Sequence, residues 1–126
     1  MSGASSPLDR VRAACLALPE TSERLSHGAP TFFIRETRAF VTYHDDHHGD
    51  GRLALWCAAP EGMQEALVES EPEHYFRPPY VGVRGWLGVR LDRGLGWEHV
   101  TEAIGTAYLF RRPRSARGRS GPSGKR

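Results

Sequence analysis

The chain has no apolar run approaching the ~18 residues that a membrane-crossing helix needs, and no apolar stretch behind its N-terminus of the kind a secretion signal carries. A cytoplasmic location with no membrane partner is the expectation. Cysteine is also scarce, with Cys15 and Cys57 the only two. Neither belongs to a CxxC pair, and each falls on the apolar side of an expected element, which favours reduced core thiols over a disulfide. The sequence contains no GxSxG, no GxGxxG and no GxxxxGK[ST], so the common nucleophile and phosphate-loop signatures are absent. His74 and His99 stand apart from any carboxylate–nucleophile pattern. The expectation is a protein without catalytic activity and without a cofactor.

Acidic residues are missing from one end. Residues 111–126, "RRPRSARGRSGPSGKR", hold seven of the 17 basic residues and no Asp or Glu. The remaining 110 residues then carry ten basic and fifteen acidic groups, so the high pI belongs to the tail. Arg, Gly, Ser and Pro in that proportion bury too little apolar surface to fold, which predicts a disordered basic tail over 113–126. Such a segment either neutralises phosphates or serves as a solubilising extension. What precedes it, residues 1–112, is a single domain by length, expected to bury roughly two-thirds of its unfolded surface.

The elements of that domain are punctuated clearly. Ser6 is placed to cap a helix with Pro7 and Asp9 in its first turn. Leu8, Val11, Cys15 and Leu18 follow at offsets of one helical stripe, and Pro19 ends it. After a loop with Gly28 and Pro30, "TFFIR" and "RAFVTYH" read as strands of a hairpin turning near Glu36 and Thr37. "RLALWCA" gives a third strand. Met63, Ala66, Leu67 and Ser70 draw a short helix after Pro60 that closes before Pro72. "HYFRPPYVG" is at best an edge strand because of its two prolines, and "GWLGVRLD" is a strand. Gly96 opens a last helix with Trp97, Val100, Ile104, Ala107 and Tyr108 on one side. The order α-β-β-β-α-β-β-α predicts a two-layer α+β domain, an antiparallel five-stranded sheet with helices on one face.

Alternation then asks what the other sheet face carries. Phe32 and Ile34, Leu53, Leu55 and Cys57, and Leu87, Val89 and Leu91 fall on the helix side. Phe33, Trp56 and Trp86 fall opposite, beside Arg35, Arg52 and Arg90. Rings interleaved with guanidinium groups stack bases and meet phosphates; they equally suit a protein interface, or arginine stems simply covering indole rings. Arg77, Arg84, Arg90 and Arg93 fall within seventeen residues that contain one acid, Asp92. With Trp56, Trp86, Arg111, Arg112 and Arg114 they form the candidate nucleic-acid-binding set, in a non-sequence-specific mode because no recognition helix is evident. The partner is DNA on that reading, and on the alternative it is a second copy or another protein.

"HDDHHGDG", from His44 to Gly51, collects three histidines and three aspartates in the connection between two strands. His44, His47 and His48 with Asp45, Asp46 and Asp50 offer nitrogen and oxygen ligands to zinc or a similar ion. The spacing matches no recurrent zinc pattern, and Asp and Gly favour a tight turn for their own reasons. A solvated hairpin turn is the preferred reading, with metal the lesser one.

"LPETSERLSHGAPTFFI" and "FRPPYVGVRGWLGVRLD", at this separation, resemble the MmcQ/YjbR-like family of small bacterial domains over about residues 8–112. The resemblance implies a compact α+β fold, helix–three strands–helix–two strands–helix, similar in topology to type III secretion chaperones and CyaY-like domains. It further implies DNA binding, the label its members usually carry, and brings no catalytic residues with it. His27 stands where many relatives have Trp before the Gly, and the Arg-rich tail lies outside the shared pattern.

Overall fold

Ser6 caps the first helix, its hydroxyl accepting a hydrogen bond from the Asp9 amide at 3.0 Å, with Pro7 at the first helical position. The structure, a computed structural model, describes residues 6–113. Helix α1 spans Pro7–Leu16 and buries Val11 and Cys15, with Leu18 packed beside them beyond its end. Strands β1 (Thr21–Ser26), β2 (Ala29–Ile34), β3 (Arg38–Asp45) and β4 (Leu53–Cys57) come next without interruption by an α-helix. Then come α2 (Met63–Ser70), the two-residue strand β5 (Tyr75–Phe76), β6 (Leu87–Arg90) and α3 (Trp97–Arg111). The sheet is antiparallel throughout, in the order β1-β2-β3-β4-β6-β5.

It has six strands, not the expected five, because "TSERLS" is a strand and not a loop. Its composition hid it. β1 lies at the sheet edge, leaves Leu25 exposed and needs no apolar face. Backbone pairing with β2 holds it, aided by a fork from Arg12 on α1 to Glu23, at 2.6 and 2.8 Å. His27 and Gly28, at φ 53° and 80°, make the two-residue turn between β1 and β2, the geometry in which two positive φ values match the twist of a hairpin. The element order is accordingly α-β-β-β-β-α-β-β-α. β5 is confined to the opposite edge, as its neighbouring prolines require. Residues of the expected basic tail beyond Pro113, Arg114 among them, lie outside those described.

The pairing of β2 with β3 is irregular at one point. Phe32 pairs with Val41, yet Phe33 pairs with Ala39, so β3 carries one extra residue, Phe40. The bulge lets both Phe40 and Val41 turn inward, where each is fully buried, and Phe40 meets the edge of Tyr108 on α3 with ring centroids 5.7 Å apart. Core packing on this side uses Val11 and Cys15 of α1, Val100, Ile104, Ala107 and Tyr108 of α3, and Phe32, Ile34, Leu55, Cys57, Leu87 and Val89 of the sheet. Cys15 and Cys57 are both buried and unbonded. α2 packs beside β5 at the far edge.

At Gly88 the backbone must pass under an aromatic ring: a Cβ there would lie 2.5 Å from Cζ of Phe76. Gly88→Ala is therefore expected to displace Phe76 and destabilise the fold by about 1–3 kcal/mol. Urea unfolding measures this, and an unchanged midpoint would show that the ring is not confined.

Candidate functional site

Six cross-strand partners, Arg24, Thr31, Thr42, Trp56, Gly88 and Phe76, form one continuous row across the sheet, on the face away from Val41, Cys57 and Leu87. Side-chain alternation sets that row, and the bulge at Phe40 keeps Ala39 and Thr42 on the same side as Phe33. The parity read from the sequence is thus right, but the exposure is not. Phe33, Trp56 and Trp86 are only 6%, 5% and 5% exposed. The helices do not cover this face; cations and histidines do. The Arg24 guanidinium lies 3.7 Å from the Phe33 ring centre, Arg52 lies 4.0 Å from Phe76, and Arg84 lies 5.8 Å from Trp86. Over Trp56 stacks His44, with centroids 3.6 Å apart and planes 23° from parallel.

The connection between β3 and β4 supplies the rest of this cover. His47 meets Trp56 edge-on at 4.8 Å and stacks on His48 at 4.1 Å. Its aspartates serve the turn: Asp46 accepts from the Gly51 amide at 2.7 Å, and Asp50 from the Arg52 amide at 2.9 Å. Among the described residues no group of three His, Cys, Asp or Glu side chains is arranged to hold a metal ion. His44 and His47 are also less solvated than a plain turn implies, while His48 is exposed. Burial, and then the nearby His47, push the His44 pKa down to about 4, with Asp50 opposing, so His44 is neutral at neutral pH. Thr42 Oγ1 lies 2.8 Å from its Nε2.

Between these walls lies a pocket of about 650 Å3. Its floor is Thr31, Thr42, Trp56 and Trp86, and one wall is His44, His47 and His48. Tyr80, Val81 and Arg84 of the Val81–Arg84 turn and its lead-in form the second wall. Ser26, His27 and Ala29 close the β1–β2 end, and Thr37, Ala39 and Arg111 close another side. The buried Gln64 of α2 anchors the second wall: its Nε2 donates to the carbonyls of Gly82 and Trp86 at 2.9 and 2.6 Å. Arg111 reaches the pocket from the last turn of α3, its Nε donating to the Ala39 carbonyl at 3.0 Å. Burial, then the charges of Arg84 and Arg38, lower its pKa, which places three guanidinium groups in one electrostatic neighbourhood. Among the described residues no carboxylate lines the pocket.

Of the candidate binding residues, the pocket unites Trp56, Trp86, Arg84 and Arg111. The others lie elsewhere. Arg90 is held by Asp92, its Nε and Nη2 donating at 3.0 and 3.1 Å, and this bond holds the Asp92 carboxyl below its ordinary pKa. Arg35 pairs with Glu20 at 2.9 Å. Arg77 lays its stem across Gly82, Arg93 is exposed on the connection to α3, and Arg112 follows the end of that helix. Thr42 and Tyr80 were not among the candidates, and the three histidines, read as part of a solvated turn with metal the lesser reading, line the pocket. Thr42 and His44 share parity in "VTYH", but only the cross-strand register brings Thr31 and Trp56 beside them.

These features define a small α+β protein with an antiparallel sheet, helices α1 and α3 over one face, and a basic, ring-lined pocket in the other. The chain belongs to the YjbR family, whose family model matches residues 16–110. Its fold is similar to that of the Deinococcus radiodurans protein DR2400, a crystal structure with a DUF419 domain. The two share 20% sequence identity with a TM-score of 0.72, over 86% of this chain and 80% of that one. No curated protein matches this chain. Among the described residues no helix is long and apolar enough to cross a membrane.

The depressed His44 pKa sets a pH dependence. In the unfolded chain this ring takes a proton below its ordinary value of 6.5; in the fold it resists until about pH 4. Stability present above pH 6.5 is therefore lost as the pH falls from 6.5 toward 4. Thermal melts across that window should show His44→Phe, which keeps a flat ring over Trp56, losing less than the wild type. Parallel curves would contradict the assignment.

Proposed function

We propose that this protein is a non-catalytic, non-sequence-specific nucleic-acid-binding protein that takes a single strand or an unpaired base on the open face of its sheet. The observation that carries the reading is the pocket's composition: rings and guanidinium groups without a carboxylate. Stacking on aromatic faces and phosphate neutralisation by arginine are the two ingredients of sequence-tolerant strand binding. A base within a paired duplex reaches a pocket only by extrusion, whereas an unpaired base needs none.

None of the fifteen acidic groups outside residues 111–126 is among the residues that line the pocket, although Asp50 acts on His44 at its wall. Catalysis finds no support in the thiols. Cys57 is pushed up to about 12 by burial, and Cys15 is likewise raised, which leaves both protonated and unreactive. Trp56 and Trp86 are covered, so neither a base nor a second copy meets their faces directly, and on this reading stacking falls to the exposed His48 and Tyr80 rings of the pocket.

The full-length chain should bind a fluorescent single-stranded oligonucleotide more tightly than the matching duplex, with affinity falling as salt rises. Each phosphate contact contributes about −0.7 to the slope of log K against log salt for a single strand. Arg84→Gln should lower the affinity and flatten the slope by about that amount. Anisotropy titrations at several salt concentrations measure both, and no binding at low salt removes the reading.

A further inference from the structure

We propose that the pocket is a single-nucleotide site, one that encloses a base together with its phosphate and therefore binds a nucleoside 5′-monophosphate by itself. This inference rests on the nucleic-acid reading and sharpens it. Strand-tracking surfaces are open grooves that pass the backbone from one contact to the next. This site is instead a half-open recess flanked by turns. The His47–Gly49 turn, the Val81–Arg84 turn, the β1–β2 turn and the end of α3 surround it, and its volume of about 650 Å3 lies in the range of a pocket for one small ligand.

Polarity within the pocket is directional. Arg84 and Arg111 provide the cationic groups, and neither pairs with a carboxylate among the described residues. Like charges brought together without a counter-charge repel, and a bound phosphate relieves that repulsion. His48 and Tyr80, both exposed, add ring faces against which a flat base can lie. A bare phosphate leaves the rings unused, and an uncharged nucleoside leaves the guanidinium groups unpaired. The two parts belong on one ligand, whether that ligand is a free nucleotide or the phosphorylated end of a strand.

Calorimetric titration of the full-length protein with adenosine 5′-monophosphate, adenosine and inorganic phosphate tests this. The monophosphate should bind at one site, at least about tenfold more tightly than either fragment, and Arg84→Gln should weaken it by about tenfold in protein that still melts cooperatively. No heat from the monophosphate overturns the proposal, as does phosphate alone binding equally well, or an Arg84→Gln variant that binds like the wild type. An oligonucleotide that binds while the monophosphate does not leaves strand binding intact and removes the single-nucleotide site. Monophosphate binding without oligonucleotide binding keeps the site and removes the strand reading; silence from both removes both. Displacement of bound monophosphate by a 5′-phosphorylated oligonucleotide, but not by its 5′-hydroxyl counterpart, assigns the strand end as the source. Displacement by neither assigns the free nucleotide.

Discussion

Trp56 has the helical layer behind its strand and no helix in front of it, and the sheet must still shield its ring from water. An indole left bare on a sheet face forfeits a large apolar contribution, so something has to cover it. Here the cover is His44 at 3.6 Å, backed by His47, with Arg24, Arg52 and Arg84 doing the same for Phe33, Phe76 and Trp86. Much of the open face is a consequence of that constraint. The side chains that hide the rings are basic or titratable, so shielding the sheet also builds a cationic rim. Because the cover is made of side chains from turns, it does not fill the space as a helix does. A pocket remains between the turns.

The two faces are therefore stabilised by different physics. On the helix side, fully buried aliphatic and aromatic groups interdigitate, and the bulge at Phe40 adds one more ring to that core. On the open side, stacking and cation–π contacts operate at partial exposure, where each is weaker and responds to pH or salt. His44 illustrates the coupling. Its neutral form is favoured by the burial that makes the stack, so protonation and loss of cover are one event viewed from two directions. Gln64 ties this side to the other, since it fixes the Tyr80–Arg84 wall to α2 through two carbonyls.

Much of this was legible in the sequence, and the failures have physical causes. Helix caps, the apolar stripe through Val11 and Cys15, and the alternation in "LALWC" and "LGVR" each act within a few residues, and they place the helices and the central strands. β1 escaped because an edge strand held by backbone pairing and an Arg12–Glu23 fork needs no apolar pattern. Its signal was the two-residue His27–Gly28 turn between segments of equal length. Arg90 and Arg93 looked like partners of Arg84 by proximity in sequence. The fold instead gives Arg90 to Asp92, and brings Arg111 to the pocket from a distant helix end. Ring exposure was misjudged for a related reason: parity predicts which face a side chain takes, but not what lies over it.

The central claim is that the ligand meets the open face of the sheet. The three tryptophans report on it separately, because Trp56 and Trp86 line the pocket while Trp97 sits at the start of α3 beneath Arg10, 4.2 Å from its ring centre. The most direct measurement is an NMR titration of the full-length protein with a short single-stranded oligonucleotide, following the three indole N–H signals and the His44 ring. The account predicts that Trp56, Trp86 and His44 shift together and saturate at one concentration while Trp97 stays in place. Shifts at Trp97, with Trp56 and Trp86 unmoved at saturation, would contradict it.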